Sequence, residues 1–246
     1  MIVTSLSFIP VFASNALIIR LAGSLYFLMT SSGTLTDASF PKEPLEGARA
    51  VLATNITVNG GQTHIKTIGH HGAVGLAATK TLTINGGHNY IATYDDPMKI
   101  GSNLVINGGF TFTSSLTNDG TDSKGDIHMN DGFICSCGPE GAEAAFDVKH
   151  FYCYGGTVIG LGHKSDRPVA DKSPQAFFRL DKIKGVKRYV QILDAEGQEL
   201  ALLETPAYAT QTIVYSSPAL KKGDTYTIFT GDTLESLDML TSIEAE

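Results

Sequence analysis

The residues best suited to do chemistry in this chain are carboxylates crowded into one short segment. Residues 117–126 read TNDGTDSKGD and place Asp119, Asp122 and Asp126 within eight residues, although only 17% of the whole chain is charged. Asn, Asp and Gly are common in turns, so the segment could be an acidic turn and nothing more. Carboxylate oxygens are also the ligands that Ca²⁺ takes in proteins, and a cation site is therefore the alternative.

A short repeat around this segment indicates how the acidic residues are positioned. VNGG at 58–61 recurs as INGG at 84–87 and 106–109, and in altered form as MNDG at 129–132 and CYGG at 153–156. The first glycine position of each copy recurs every 22 to 26 residues. Each copy lies between two short segments that alternate in polarity and are rich in β-branched residues, which is typical of strands.

A unit of this size cannot bury an apolar face alone and must stack on its neighbours. The sequence therefore predicts an all-β fold, a right-handed parallel β-helix with one turn per repeat. An antiparallel sandwich is the alternative, although it would not require the same tripeptide in every unit. In a stack, the repeat asparagines would lie about 4.8 Å apart and form a hydrogen-bonded ladder. These residues are Asn59, Asn85, Asn107 and Asn130.

The regions on either side of the repeats lack the marker. We assign residues 1–176 to the β-helix, with irregular N-terminal turns or a cap in residues 1–49. Residues 177–246 contain paired β-type segments around turns, and we expect an antiparallel β appendage that covers the open end of the helix, because such an end exposes unpaired backbone. The apolar runs around Arg20 have no basic residue before them and are too short to span a bilayer, so we interpret them as strands.

Composition excludes several partners and sites. The net charge is −7, and no basic stripe with interleaved aromatic residues is present, so nucleic acid is not an expected partner. The three cysteines, Cys135, Cys137 and Cys153, include no CxxC pair. We expect buried thiols rather than a zinc site, with one disulfide as the alternative.

Stacking of the turns converts the repeat spacing into a column of carboxylates. Neighbouring turns would bring these side chains within about 5 Å of one another, and their repulsion would be relieved by raised pKa values or by a cation. Ca²⁺ suits such hard oxygen ligands best, while ordinary turn-forming acids are the alternative. The predicted metal ligands are Asp95, Asp96, Asn118, Asp119, Asp122, Glu143 and Asp147.

Two further sets of residues could contact a ligand. Tyr90, Phe110 and Phe112 follow the glycine pairs. If they point outward they offer a stacking platform for sugars, and if they point inward they form core. Alternation does not decide between these options, because the Gly-Gly turn resets the register. Lys99 and Lys124 lie in the acidic column, either as charge-balancing residues or as the base of a calcium-assisted lyase. No Ser or Cys motif with a credible base is present.

The order of these segments resembles a known family. The succession INGG, YDDPM, INGGFTF, NDGTDSKGDI, EAAFDVK and GGTVIGLG, with the terminal SSPALKKGDTYTIFTG, is similar to secreted bacterial carbohydrate-binding-domain-containing proteins with a right-handed parallel β-helix, themselves similar to calcium-dependent pectate lyases. The resemblance covers about residues 50–231. It departs from the family pattern where Lys99 stands in DDPMK instead of DDAIN, and where Lys124 stands in DSKG instead of DSNG.

The resemblance implies an extracytoplasmic, non-catalytic protein that binds Ca²⁺ and plant cell-wall or other acidic polysaccharide, with no membrane insertion. Each of the two lysines adds positive charge where the family has a potential ligand. The positions that match the family's acidic pattern are Asp95, Asp96, Asn118, Asp119, Asp122 and Asp147. A calcium-assisted polysaccharide lyase and a structural or adhesive surface protein are the alternatives.

Overall fold

The structure is a computed structural model that describes residues 16–21, 24–29, 49–69, 71–206 and 210–246. The regular elements of these residues are strands. Within the same ranges no helix is long and apolar enough to span a membrane. The chain enters the fold through an antiparallel hairpin of β1 (Ala16–Leu21) and β2 (Ser24–Met29). Much of the predicted N-terminal region, residues 1–49, lies outside the described residues.

Residues 49–161 form a parallel β-solenoid of about five turns, which confirms the predicted fold class. Its strands line up in three columns. Strands β3 (Arg49–Ala53), β4 (Ile56–Val58) and β5 (Gln62–Lys66) form the first turn. The later turns contain β6 (Val74–Ala78), β7 (Leu82–Ile84), β8 (His88–Thr93), β9 (Met98–Ile100), β10 (Leu104–Ile106), β11 (Phe110–Ser115), β12 (Thr121–Met129), β13 (Phe133–Cys137), β14 (Phe146–Cys153) and β15 (Thr157–Gly162).

Each column is a parallel sheet of equivalent strands. The first column contains β3, β6, β9 and the first halves of β12 and β14. The second contains β4, β7, β10 and the second halves of β12 and β14. The third contains β5, β8, β11, β13 and β15. Apolar side chains that point inward from the columns, such as Ile84, Ile91 and Ile106, pack into one buried core.

The repeat asparagines form the predicted ladder. Asn85 Nδ2 donates to Asn59 Oδ1, Asn107 Nδ2 to Asn85 Oδ1, and Asn130 Nδ2 to Asn107 Oδ1, each at 2.8 Å. The ladder is exposed, so each bond replaces one to water and its net contribution to stability is small. Its main effect is to hold the repeat turns in one register.

Replacing Asn107 by Ala should lower the free energy of unfolding by about 1 kcal/mol, because the residue makes a ladder bond on both sides and each is worth about 0.5 kcal/mol or more. Chemical denaturation measures this change. Asn130→Ala is the matched control, since Asn130 is the last asparagine of the ladder and donates its single ladder bond to Asn107. Equal losses from the two substitutions would contradict a role of the ladder as a continuous chain.

The sheet that contains the third column continues with additional strands at both ends of the solenoid. At its N-terminal side β2 pairs with β5 in antiparallel orientation. At its C-terminal side β19 (Thr212–Ser216) pairs antiparallel with β15, and β16 (Phe177–Leu180) pairs with β19. These strands satisfy backbone groups that the sheet edges would otherwise expose.

The predicted antiparallel β appendage is present as a four-stranded sheet, although β16 and β19, which also lie in residues 177–246, extend the third column instead. The four-stranded sheet contains β17 (Tyr189–Leu193), β18 (Glu199–Glu204), β20 (Thr225–Gly231) and β21 (Asp238–Glu244), in the order β18-β17-β20-β21. Its apolar residues, including Val190 and Ile228, form a second buried core with Cys135, Ile159 and Tyr215. Since neighbouring Ile134 and Val158 point into the solenoid core, the sheet packs on the outer face of the third column. The predicted boundary between residues 176 and 177 remains a prediction.

All three cysteines are free and buried, in agreement with the preferred interpretation from the sequence. Cys135 Sγ and Cys137 Sγ are 4.0 Å apart on one face of β13. Burial raises the pKa of Cys153, and the Cys135 contact together with burial raises that of Cys137. Both thiols therefore act as small apolar side chains at neutral pH.

Candidate functional site

The acidic column forms where the chain leaves the third column and enters the first. The register aligns Lys99 with Asp122 and Asp122 with Asp147, which confirms the alignment expected from the repeat. Within β12, Thr121 and Ser123 are buried on either side of Asp122. Because side chains alternate along a strand, Asp122 lies on the opposite face from these two residues.

Three aspartates of this column form a compact buried triad. Asp96, Asp119 and Asp122 are 0%, 6% and 2% exposed, and one carboxylate oxygen from each lies within 4.8 Å of the others. Ca²⁺ binds oxygen at 2.3–2.6 Å, so two ligands of one ion are separated by at most about 5 Å. The triad could therefore hold a metal ion, and its hard oxygen donors suit Ca²⁺.

Two carboxylates of the triad also hydrogen-bond to the backbone of the next turn. Asp96 Oδ1 accepts a hydrogen bond from the backbone N–H of Asp119 at 3.2 Å, and Asp119 Oδ1 accepts one from Ala144 N–H at 2.7 Å. Each carboxylate thus uses one oxygen to bind the next turn, as ordinary turn-forming acids do. Asp122 differs, since its buried Oδ1 receives no hydrogen bond of normal geometry.

Two lysines lie against the triad. Lys99 Nζ is 2.6 Å from Asp96 Oδ2 and 3.6 Å from Asp122 Oδ2. Lys124 Nζ is 2.9 Å from Asp122 Oδ1 and 3.3 Å from Asp147 Oδ2. The Lys124–Asp122 contact is an ion pair with a mostly exposed lysine. Both lysines therefore balance the charge of the column.

Two carboxyl groups of the triad, those of Asp96 and Asp119, resist ionisation. Burial raises the pKa of Asp96 to about 6, opposed by the hydrogen bond and charge of Lys99. Burial raises the pKa of Asp119 to about 7, and the nearby Asp147, Asp96 and Glu143 add to the effect. The contact with Asp122 raises the pKa of Lys124. Burial alone would lower the pKa of Lys99, but the contacts with Asp96 outweigh burial and raise it. Both lysines thus remain charged at neutral pH.

Asp95 and Asn118 lie beside the triad and bind each other. Asp95 Oδ1 accepts hydrogen bonds from Asn118 Nδ2 at 2.7 Å and from the Asp96 N–H at 2.9 Å. Its other oxygen accepts one from the Gly72 N–H. Burial alone would raise the pKa of Asp95, but these bonds outweigh it and lower the pKa. The pair therefore fixes the loop, and its metal role stays a prediction.

Glu143 and Asp147 line a cleft together with Asp119. The cleft has a volume of about 520 Å³ and lies between the last solenoid turns and the segment from β16 to β19. A fourth acid, Asp166, completes this wall; burial raises its pKa, and its Oδ2 accepts a hydrogen bond from Val148 N–H at 2.9 Å. The metal roles predicted for Glu143 and Asp147 remain predictions.

The cleft is also lined by basic residues that were not predicted. These residues are Lys164, Arg179 and Lys182. Arg179 forms an ion pair with Asp181, and its Nη1 donates to Ser165 O at 3.1 Å. Lys182 has φ of 53°, the one positive value outside glycine among the described residues, and non-glycine residues held in this region often lie at functional sites. For Lys164 the charged run HKSDR at 163–167 was the available signal in the sequence.

The aromatic residues point outward. In β8, Asn89 and Ile91 are buried while Tyr90 is 46% exposed, and Phe110 in β11 is 41% exposed. Tyr90 stacks on Phe112 with ring centroids 5.1 Å apart and a 10° angle between planes. Phe110 stacks on Phe133 at 4.5 Å and 4°. The faces of the paired rings are therefore in contact with each other. Phe112 and Phe133 also pack against the second buried core, which the C-terminal sheet helps to form.

A second aromatic group lies on the outer face of the second column. His128 faces Tyr152, with ring centroids 5.2 Å apart, and is parallel to Tyr154 at 6.3 Å. His150 Nδ1 is 2.8 Å from Asp126 Oδ1. This group was not predicted from the sequence, because its members come from two repeats that carry different residues at these positions.

Comparisons of the chain with protein families, with curated proteins and with solved structures found no match in any of the three. The function proposed below is therefore inferred from the fold and from the geometry of the site.

Proposed function

We propose that this protein is a non-catalytic carbohydrate-binding β-solenoid that acts outside the cytoplasm, holds Ca²⁺ in the Asp96–Asp119–Asp122 triad, and binds an acidic polysaccharide. The observation that carries the proposal is the continuity of the triad with the cleft, because Asp119 belongs to both. A cation held by the triad lies next to a space large enough for a small polar ligand.

The lining of the cleft suits a sugar that carries hydroxyl and carboxylate groups. Gln211 lines the cleft and offers an amide group to sugar hydroxyls. Lys164 and Lys182 line the same cleft and are exposed, so their ammonium groups can attract a carboxylate. Bound Ca²⁺ would bridge the protein carboxylates and a uronate carboxylate, which otherwise repel.

The exposed aromatic residues supply a second contact. Tyr90 and Phe110 are the exposed members of the outward stacks. Because their faces are taken up by stacking, a sugar would contact their exposed ring edges. Stacking on Phe112 and Phe133 holds these two rings in place, which lowers the entropy lost when a ligand binds.

The lysines favour binding over catalysis. A lyase with Lys99 or Lys124 as base needs a neutral amine, whereas ion pairs raise the pKa of both lysines. A polysaccharide lyase is therefore the weaker candidate. A purely structural or adhesive surface protein is the other, and it predicts no glycan binding at all.

Isothermal titration calorimetry with polygalacturonate, with its methyl-esterified form and with a neutral galactan tests the proposal. We expect binding of polygalacturonate in Ca²⁺, loss of most of this binding in excess chelator, and weaker binding of both other polymers. Unsaturated products absorbing in the ultraviolet would indicate the lyase instead. A protein that binds none of these polymers, with or without Ca²⁺, would support the structural role.

A further inference from the structure

Lys99 places a positive charge among the oxygens that a metal ion would need. Its ammonium group contacts Asp96 Oδ2 at 2.6 Å and lies 3.6 Å from Asp122 Oδ2. Asp96 and Asp122 are two of the three triad residues, and their oxygens lie within 4.8 Å of each other and of Asp119. An ion bound by all three aspartates would therefore lie next to the present position of the Lys99 ammonium group.

A second observation concerns the contacts of the Asp122 carboxylate. Asp122 is 2% exposed, yet its Oδ1 receives no hydrogen bond of normal geometry. Buried carboxylate oxygens normally have hydrogen-bond partners. The contact of Asp122 Oδ1 is the ion pair with Lys124 Nζ at 2.9 Å, made by a side chain that is 60% exposed, so this oxygen is held by a cationic side chain at the surface and not by the backbone.

The Lys99 side chain can leave the triad without crossing the core. It is 42% exposed, and a lysine has a flexible four-carbon stem that carries a strongly hydrated charge. Rotation of this stem would return the ammonium group to water. The buried carboxylates could not follow, since Asp96 and Asp119 are each bonded to the backbone of the next turn.

We propose that Lys99 is a built-in competitor for the metal, so that its ammonium group and a hard divalent cation such as Ca²⁺ are alternative occupants of the Asp96–Asp119–Asp122 triad. The proposal rests on the metal-binding part of the proposed function and not on glycan binding. Like charges cannot share this buried site without strong repulsion. Binding of Ca²⁺ therefore requires the Lys99 side chain to move out.

Lys99→Gln is the direct test, because it removes the charge and keeps most of the stem. Calorimetric titration with CaCl₂ should show binding at least about tenfold tighter than in the wild type, a difference equivalent to about 1.4 kcal/mol. Lys99→Arg keeps the charge and should bind Ca²⁺ no more tightly than the wild type. Lys80→Gln removes an exposed charge outside the column and should leave the affinity unchanged. Equal affinities of Lys99→Gln and the wild type would overturn the proposal.

A measurement on the unmodified protein covers the case in which Lys99→Gln does not fold. Acetylation by acetic anhydride, followed by peptide mass spectrometry, reports how accessible each lysine amine is. Saturating CaCl₂ should increase the labelling rate of Lys99 several-fold, with Lys80 as the internal reference. An unchanged or slower rate at Lys99 would overturn the proposal. Glycan binding that persists while Lys99 shows no such response would leave the proposed function standing without this competition.

Discussion

Replacing Asp119 by Asn should make the metal-free protein more stable than the wild type at pH 8, while the two proteins should be nearly equal at pH 4. Burial and the repulsion of Asp147, Asp96 and Glu143 raise the pKa of Asp119 to about 7, against 3.8 for an unperturbed group. Asparagine resembles the protonated acid, and its Oδ1 can still accept the hydrogen bond from Ala144 N–H.

The direction of this pH dependence follows from proton linkage. The folded state holds its proton at Asp119 more firmly than the unfolded state does, so folding is favoured most below pH 3.8. This contribution is lost as the pH rises to about 7. Asp96, with its pKa raised to about 6, acts in the same direction. After a discount for solvent screening, we expect Asp119→Asn to add about 1 to 2 kcal/mol at pH 8.

Urea denaturation of both proteins at pH 4, 6 and 8 in excess chelator measures this difference. The difference between wild type and variant is the informative quantity, since all other titrating groups are shared. Asp171→Asn changes the net charge equally at an exposed position and should give a difference that does not vary with pH. A constant difference for Asp119→Asn as well would show that Asp119 ionises normally in the folded protein.

Replacing Gly109 by Ala should destabilise the solenoid by at least about 2 kcal/mol. Gly109 is the second glycine of the third repeat and has φ of 82°, a conformation that a residue with a Cβ atom adopts at a cost. A Cβ atom there would also lie 2.6 Å from the backbone carbon of Gly86 and 2.7 Å from Gly87 O. Both atoms belong to the backbone of the preceding turn, so the turns would have to separate.

Gly60→Ala is the matched control for this substitution. Gly60 is the first glycine of its pair, and a Cβ atom there would meet nothing within 4 Å. Thermal and chemical denaturation should therefore show a change of less than about 0.5 kcal/mol for Gly60→Ala. Similar losses at both positions would mean that the second glycine is not required by the stacking of the turns.

The repeat in the sequence carries enough information to predict the register of the solenoid. Equivalent residues of successive repeats must lie side by side once the turns stack, because parallel strands keep one spacing along the whole column. For this reason the asparagine ladder and the line of Lys99, Asp122 and Asp147 could both be predicted. The same spacing placed Asp96 and Asp119 close together.

Hydrogen bonding within the acidic column depends on local geometry that the repeat does not specify. Asp95 and Asn118 are of residue types that can ligate a metal ion, yet they form a hydrogen bond with each other. Asp96, Asp119 and Asp122 are the ones that converge. Which oxygen meets which N–H depends on the exact course of each loop, and loops of unequal length shift it by ångströms.

Sequence alone determined the all-β class, the parallel stacking and the membership of the acidic column, because these follow from a repeat that each turn obeys. Only the tertiary structure decided that the aromatic rings face outward, since the Gly-Gly turn breaks the alternation that would have shown it. Only the tertiary structure brought Arg179 and Lys182 into the cleft that Asp119 lines. The two basic residues follow Asp119 by some sixty positions in the chain. No periodicity links a solenoid turn to the irregular segment that packs against it.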